Sequence, residues 1–485
     1  MIEKDNGRKY DASRHVRSNH MNDMNAETKN VYFLGIGGIG MSAIARYYLL
    51  SGARVGGYDR TETALTRSLA AEGAEIHYDD DPAAIGAAFR NPDDTLVVYT
   101  PALPHDHAEL AWFRAGGFRV VKRSQILGIL TEGKYVMAVA GTHGKTTTTT
   151  LVAWLNHVAG DGGSAFLGGI SKNFDNNFVH GPGKRMAVEA DEFDRSFLQL
   201  YPDVAVITST DADHLDIYGT HEQLRKTFAL FASQIKPGGA LIIKKGVALE
   251  EYPQHATTYT YDYLGDADFH ACNVSVDEDG TYRFDIVCPD RTITGCHLGI
   301  PGKVNVENAV AATAMMWVAG FDERRLKEGL ETFRGVRRRF DFHINTPRLI
   351  YMDDYAHHPA ELRAAITSVR EMFPHRRITA IFQPHLYTRT RDFYREFAQA
   401  LSLADEVLLV PIYPAREEPI EGVSSQMIAD LVTVPHRLVP LERIARELEG
   451  ARLDVVISFG AGNIENHTGE IAARLRDKSK TKQPE

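Results

Sequence analysis

The sequence predicts a three-domain α/β protein, on three observations. The chain has 485 residues, and at about 150 residues per domain that length suggests roughly three domains. Short apolar runs of strand length alternate with helix-length amphipathic segments over most of the sequence, the pattern of parallel sheets covered by helices. Two glycine-rich turns, one at Gly35 to Gly40 and one at Gly141 to Gly144, each stand between a strand-like run and a helical one.

Composition narrows what such a protein can be. Hydrophobic residues make up 44% and charged residues 24%, the balance of a folded globular chain rather than a disordered one. The net charge of -10 argues against a nucleic-acid partner held by phosphate neutralisation. An anionic small molecule would instead need a local basic or amide-lined pocket. Cys272, Cys288 and Cys296 form no CxxC pair, so buried thiols in a reducing, cytoplasmic compartment are expected and a zinc site is not. The only long uncharged apolar run, Val31 to Ala45, holds four glycines and falls short of the ~17 residues a spanning helix needs. No membrane insertion is expected.

Taken in order, residues 1–30 are polar and charged without the apolar centre of a signal peptide, and are expected to form a disordered tail, with Met21 or Met24 as alternative starts. The first domain, 31–131, runs from the strand "VYFLGIGG" through a helix at Met41 to Ser51 to the strand "TLVVYT", a Rossmann-like layout. The second, 132–340, opens with "KYVMAVAG" and carries the strands "RMAVEA" and "VAVITS", a parallel sheet of the P-loop ATPase type. Its later part changes period: "TYRFDIVCPDRTITGC" after "DEDG" alternates every second residue, so antiparallel strands are added there. The helical run "NVENAVAATAMMWVAG" stops at Gly320. The third domain, 341–485, holds "LIYMDD", "ITAIFQ", "EVLLVPIY" and "DVVISFGAG", each expected to be followed by a polar-faced helix in a second Rossmann-like arrangement.

The segment Gly141-Thr142-His143-Gly144-Lys145-Thr146 carries the clearest chemistry. Glycines let backbone N–H groups turn toward phosphates, the helix start adds its positive end, Lys145 supplies a point charge, and the Thr146 hydroxyl can hold magnesium. Five consecutive threonines, Thr146 to Thr150, follow the lysine. At a helix start their hydroxyls can bond ligand, metal or backbone, so their poor interior propensity matters less. The usual loop rule would place a glycine where Val139 stands, so the motif is incomplete in its general form. Downstream, Glu189, Asp191, Glu192 and Asp194 end one predicted strand, and Asp211, Asp213, His214 and Asp216 follow the next. Carboxyl ends of neighbouring parallel strands lie beside such a loop, where magnesium-binding oxygens are needed.

The other turn, Gly35-Ile36-Gly37-Gly38-Ile39-Gly40, fits the GxGxxG pattern, with Asp59 about twenty residues on. On these residues alone it suits the pyrophosphate and ribose of NAD, which would make the protein an oxidoreductase. That reading leaves the Lys145 loop unexplained.

Together and in this order, "GTHGKTTT", "EADEFDRSFL", "DADHLDIYG", "GVRRRFDF", "DDYAHHPAEL", "FQPHLYTRTRD" and "SFGAGNI" resemble the Mur ligases, over residues from about Val31 to Asp477. The resemblance is to the alanine-adding branch. It implies an ATP-dependent ligase of peptidoglycan precursor synthesis that joins L-alanine to the lactyl carboxylate of UDP-N-acetylmuramate through an acyl phosphate, acting as a monomer or weak dimer. A branch that joins a recycled murein tripeptide to the same sugar nucleotide is the nearer alternative.

The same resemblance distributes roles. Gly141, Thr142, His143, Gly144, Lys145, Thr146 and Thr147 would hold the ATP phosphates, with Thr146 and Glu189 on magnesium and His214 on a second ion. Asn305 would contact adenine, and Asn308 is either a second adenine contact or a helix cap. Val304 stands where the family commonly has His. Arg339 would clamp the ATP phosphates, with Arg337 and Arg338 at the surface, and Asp354 would contact the ribose. Lys145, His214 and Arg339 would thus be the catalytic groups, and no bridging role falls to Lys226. Gly35, Gly37, Gly38, Gly40, Asp59 and Thr100 would receive the UDP portion of the substrate. Tyr355, His357 and Arg389 would receive alanine, with Leu386 at a position that is often Arg.

Overall fold

The structure is a computed structural model that describes residues 29–104, 106–212, 215–277, 279–415, 417–449 and 453–481. The expected N-terminal tail therefore lies outside the described residues, apart from its last two positions. By internal contacts the chain divides into two compact units, one reaching to Ile170 and resuming over Phe174–Tyr259, the other comprising Ser171–Asn173 and Thr260–Glu485. The protein has the expected three-domain α/β layout.

In the first unit, strands β1 (Asn30–Leu34), β2 (Arg54–Tyr58), β3 (Glu75–His77), β4 (Thr95–Tyr99) and β5 (Arg119–Lys122) form a parallel five-stranded sheet in the order β3-β2-β1-β4-β5. Every β1 residue is buried. Val31 and Phe33 enter one apolar cluster and Tyr32 and Leu34 another, as a strand covered on both faces requires. The strand order reverses at β1, and the crevice outside the carboxyl ends of β1 and β4 is where such sheets bind ligands. Gly35 and Thr100 stand at those two ends. The helix after the turn, α1 (Ile39–Leu50), and the helix after β5, α2 (Arg123–Leu130), cover one face.

The same unit continues with β6 (Tyr135–Ala140), helix α3 (Lys145–Val158), β7 (Ser164–Ser171), β8 (Asn176–Val179), β9 (Arg185–Glu189), β10 (Val204–Ile207) and β11 (Ala240–Lys244). These strands are ordered β11-β10-β6-β9-β7-β8, so β6 runs parallel between β9 and β10. That order puts the ends of β9 and β10 on either side of the loop that leaves β6. Thr146 to Thr150 are all buried in α3. The hydroxyls of Thr149 and Thr150 donate to the carbonyls of Lys145 and Thr146, four residues back, at 2.8 and 2.7 Å, which satisfies polar groups that burial would otherwise strand.

The chain passes into the second unit within β12 (Thr257–Asp262). There β13 (Phe269–Val276), β14 (Tyr282–Val287) and β15 (Thr292–Leu298) pair antiparallel, where the sequence changes to period two. Helix α4 (Lys303–Val318) follows. The last sheet holds six strands: β16 (Asp341–Asn345), β17 (Ile350–Asp354), β18 (Ile378–Phe382), β19 (Glu406–Leu409), β20 (His436–Leu438) and β21 (Val455–Phe459), in the order β16-β17-β21-β18-β19-β20. Helix α5 (Pro359–Met372) follows β17 and α6 (Tyr387–Leu401) follows β18. Val455, Ile457 and Phe459 enter one core cluster while Val456 enters the other, again a strand buried on both faces.

Two features differ from expectation. The strand β16 precedes "LIYMDD" and pairs antiparallel with it. After β19 the next helix, Gln426–Ala429, is only 4 residues long and comes late. Pro411, Pro414 and Pro419 lack the N–H that a helix would use, so the intervening chain stays irregular. Among the described residues, no helix is long and apolar enough to cross a membrane.

Candidate active site

The loop after β6 is fixed from both flanking strands. Gly141 has φ +134°, and a Cβ there would stand 2.0 Å from Thr208 Oγ1. Only glycine fits so close an approach. Ser209, just past β10, binds the loop three times: its carbonyl accepts from Thr142 N at 3.2 Å, its hydroxyl accepts from His143 N at 2.9 Å, and the same hydroxyl shares a hydrogen bond with Thr142 Oγ1 at 2.8 Å. Gly144 caps α3 in the left-handed conformation at φ +80°, with no side-chain cap. The helix start therefore presents backbone donors and the positive end of its dipole.

Lys145 Nζ donates to Gly141 O at 2.6 Å and to Glu192 Oε1 at 2.9 Å. Glu192 is completely buried. Burial works to discharge the ammonium, but the Glu192, Asp191 and Glu189 carboxylates overcome it and hold the Lys145 pKa above its usual value. Next to it, Thr146 Oγ1 donates to Glu189 Oε1 at 3.1 Å, and Glu189 Oε2 accepts from Gly168 N at 3.0 Å. Thr147 is buried in the same turn. A hydroxyl and a carboxylate beside a phosphate-type loop are the hard oxygen donors that magnesium takes, so these residues fit that ion. His143 Nε2 lies 3.4 Å from Asp211 Oδ2. His214 and Asp213, from the predicted second-ion segment, lie outside the described residues.

The second turn is braced by a carboxylate. Gly35 has φ +85°, and a Cβ there would stand 2.6 Å from Thr100 Cγ2. Gly37 N donates to Asp59 Oδ2 at 2.7 Å, and Gly38 N to Gly35 O at 3.2 Å. Asp59 Oδ1 also accepts from Thr61 N at 3.3 Å. A Cβ on Gly40 would meet Arg123 Nη1 at 2.7 Å. Gly35, Gly37, Gly38, Gly40, Asp59 and Thr100 are thus gathered at the switch point of the first sheet.

In the second unit, Asn305 Nδ2 donates to Pro301 O at 2.7 Å and Asn308 Nδ2 to Asn305 Oδ1 at 3.3 Å, both residues being buried. The cap position of α4 is Gly302. Asn308 lies inside the helix, so its reading as a cap does not hold. Asp354, at the end of β17, accepts from Phe340 N at 2.9 Å and Ala356 N at 2.8 Å. Burial pushes its carboxyl up to about 6, with the Arg339 charge and these two amides acting against the shift. The Arg339 guanidinium stands 5.1 Å from the Tyr355 ring centre. Arg338, expected at the surface, does not lie there. Its backbone adopts φ +61°, which turns the guanidinium inward onto Asp353 Oδ2 at 2.9 Å.

The predicted alanine residues come together from two segments, one after β17 and one after β18. The Tyr355 and His357 rings are 5.3 Å apart, His357 and His385 5.9 Å, and Arg389 Nη1 lies 3.4 Å from His385 Nδ1. Burial lowers the His357 pKa; Glu361, 3.5 Å away, opposes that and Arg389 adds to it. Leu386 takes φ +73°, rare for a residue with a Cβ. It is held by its N–H on Tyr413 O at 3.0 Å. Backbone strain of this kind gathers at functional sites. Glu361, His385, Ser209 and Arg123 were not singled out by sequence reasoning. For Glu361 a signal existed, since "HPAE" is a helix-start pattern in which Glu361 bonds back to the cap.

A lysine loop with hydroxyl and carboxylate oxygens at its edge, on a parallel sheet, defines the phosphoryl-transferring class of α/β enzymes. Comparison with known proteins makes this specific. Residues 30–135 match the Mur ligase family catalytic domain, 139–316 the Mur ligase middle domain, and 338–462 the Mur ligase glutamate ligase domain. The UDP-N-acetylmuramate–L-alanine ligase of Parabacteroides distasonis is 53% identical over 446 residues, covering 91% of this chain and 96% of the relative. That of Phocaeicola vulgatus is 49% identical, covering 93% and 99%. The crystal structure of the UDP-N-acetylmuramate–alanine ligase of Thermotoga maritima superposes with a TM-score of 0.79 at 28% identity, over 92% of this chain and 99% of that one. The chain belongs to the Mur ligase family.

Proposed function

We propose that this protein joins L-alanine to the lactyl carboxylate of UDP-N-acetylmuramate, converting ATP to ADP and phosphate, in peptidoglycan precursor synthesis. The observation that carries the reading is the Lys145 loop, with its ammonium held charged against buried Glu192 and the Thr146–Glu189 oxygen pair beside it. Relatives at about half identity over nine-tenths of the chain bear the alanine-ligase name.

A carboxylate is a poor electrophile at neutral pH. Its oxygen attacks the γ-phosphorus, ADP leaves, and an acyl phosphate forms; the alanine amine then attacks the carbonyl carbon and phosphate departs with that oxygen. Lys145 and the amides from Gly141 to Thr147 neutralise charge spread over the transferred phosphoryl group. Magnesium, which Thr146 and Glu189 would hold and for which His214 is proposed at a second ion, supplies further charge neutralisation on the phosphates when bound. The amides of Gly35, Gly37, Gly38 and Gly40 receive the pyrophosphate of the sugar nucleotide, with Asp59 and Thr100 shaping their turn. Asn305, Asn308 and Asp354 are assigned to the adenosine, and Arg339 to the phosphates. Arg389 is assigned to the alanine carboxylate. Tyr355 and the neutral imidazole of His357 are assigned to the rest of the amino acid.

The proposed domains are 31–131 for the UDP-sugar, 132–340 for ATP and 341–485 for the amino acid and part of ATP. The proposed setting is the cytoplasm, as a monomer or weak dimer. A panel of radiolabelled amino acids with UDP-N-acetylmuramate, ATP and magnesium tests the reading. Phosphate release and labelled product should depend on L-alanine; a requirement for the murein tripeptide instead would transfer the chain to the recycling branch.

A further inference from the structure

We propose that the Arg123–Asp191 pair is a positioning link that couples the sugar-nucleotide turn to the ATP loop, so that filling one raises affinity at the other. The inference rests on the functional reading above. Arg123 is the first residue of α2, which begins directly after β5. Its guanidinium is seated against Gly40, where a Cβ would stand 2.7 Å from Nη1 and 3.4 Å from Cζ. The absent side chain at Gly40 is the space the guanidinium uses. On its other side, Arg123 Nη2 donates to Asp191 Oδ2 at 3.1 Å.

Asp191 is tied into its own segment. Oδ1 accepts from Phe193 N at 3.1 Å and the Asp191 carbonyl from Phe197 N at 2.9 Å. The next residue is Glu192, whose carboxylate holds Lys145 at 2.8 to 2.9 Å. A continuous route therefore runs from the Gly40 backbone through Arg123, Asp191 and Glu192 to the ammonium of the ATP loop. Beside it, Lys122 Nζ bonds Asp194 Oδ2 at 2.9 Å. Asp194 and Arg195 both adopt positive φ, 52° and 54°, an uncommon backbone for residues with a Cβ that is held where surroundings over-determine it.

Stability does not account for this arrangement. The Arg123 and Asp191 side chains are 18% and 34% exposed, and partly exposed pairs contribute little to folding. The fold is clamped elsewhere by a better buried network, in which Arg46, 4% exposed, bonds Glu72 at 2.8 Å and Asn177 bonds Ser42 Oγ at 2.8 Å. What Arg123 adds is a fixed geometry between two ligand loops. An interaction that is optimal only when both loops are set for their ligands appears as a coupling between their affinities, equal in both directions.

The test is calorimetric binding of UDP-N-acetylmuramate with and without a nonhydrolysable ATP analogue and magnesium. It is run on the full chain and on Arg123→Ala, Arg123→Lys, Asp191→Asn and the Arg123→Ala/Asp191→Asn double variant. In the wild type the analogue should tighten the sugar nucleotide at least about fivefold, the lower end of ordinary coupling. Arg123→Ala and Asp191→Asn should each reduce that factor to near one, the double variant should lose no more than either, and Arg123→Lys should retain part of it. A merely structural role would lower melting temperature and leave the factor unchanged. Should Arg123→Ala fail to fold, near-isosteric Asp191→Asn and Arg123→Lys still decide. Wild-type coupling preserved in these variants, or absent from the wild type while both ligands bind, overturns the link. Failure of the wild type to bind the sugar nucleotide at all would instead overturn the functional reading beneath it.

Discussion

The turn at Gly35–Gly40 and the turn at Gly141–Lys145 each follow an interior strand of a parallel sheet, and each opens on a glycine at positive φ, +85° and +134°. Both lead into a helix whose start has no side-chain cap. Their side chains separate them. The second turn carries its own cation, Lys145, held by Glu192, and its own metal-type oxygens on Thr146 and Glu189. The first carries neither. Its carboxylate, Asp59, faces inward to brace the Gly37 amide, and the cation seated against it, Arg123, comes from another helix. Amides and a helix dipole are enough to hold a pyrophosphate, whereas moving a phosphoryl group requires charge that is already in place.

Removing that charge gives the largest effect. Lys145→Ala should reduce phosphate release by about a thousandfold or more, the scale of losing a preorganised charge in phosphoryl transfer. Its calorimetric affinity for UDP-N-acetylmuramate should stay near that of the wild type. Equal loss of both would erase the contrast between the turns. Gly37→Ala inverts the experiment. Its Cβ would stand 2.6 Å from Thr66 Cγ2 and 2.8 Å from Asp59 Oδ2, and overpacking of this kind costs about 1–3 kcal/mol. The KM for the sugar nucleotide should rise about ten- to a hundredfold while that for ATP changes little, as steady-state kinetics with each substrate varied would read.

A third effect touches stability and leaves the chemistry alone. Among the described residues of the first unit two glutamates are fully buried, Glu192 and Glu109, and of the two only Glu192 has a lysine against it. Glu109 accepts from Tyr32 OH at 2.8 Å, and burial pushes its carboxyl up to about 7. The folded chain therefore keeps a proton that the unfolded chain releases above about pH 4.5. Stability falls as pH rises through that window, and the penalty is complete above pH 7. Glu109→Gln should remove it: relative to the wild type, the variant gains on the order of 3 kcal/mol between pH 5 and pH 8. Denaturant unfolding at the two pH values measures this, and a gain that is flat with pH would contradict it.

How much of this was legible depends on how locally each part is encoded. Strand, loop, lysine and threonine-rich helix are contiguous, so the Lys145 loop could be read directly as a candidate phosphate loop, and Asp59 and Thr100 lie at strand ends that the alternating pattern marks. Arg123 was not legible. Its meaning comes from sitting against Gly40, some eighty residues earlier, and Asp191, nearly seventy later, neither of which any local pattern links to it. His385 comes to 5.9 Å from His357 only because the loops that leave β17 and β18, strands separated by β21, meet at one end of the sheet. Arg338 reads as one of three consecutive solvated arginines until a positive φ turns it inward. Leu386 shows the reverse: the sequence marks it as unusual, and the strained backbone at that position becomes visible only in the fold.

The claim beneath all of this is that the Lys145 loop delivers the γ-phosphoryl group of ATP to a carboxylate oxygen on the sugar. UDP-N-acetylmuramate labelled with oxygen-18 in its lactyl carboxylate, turned over with ATP and L-alanine, tests it directly through the mass of the released phosphate. Each phosphate should carry one carboxylate oxygen, because the carbon–oxygen bond breaks when the amine attacks. Unlabelled phosphate, with the departing heavy oxygen found in water or in AMP, would contradict it.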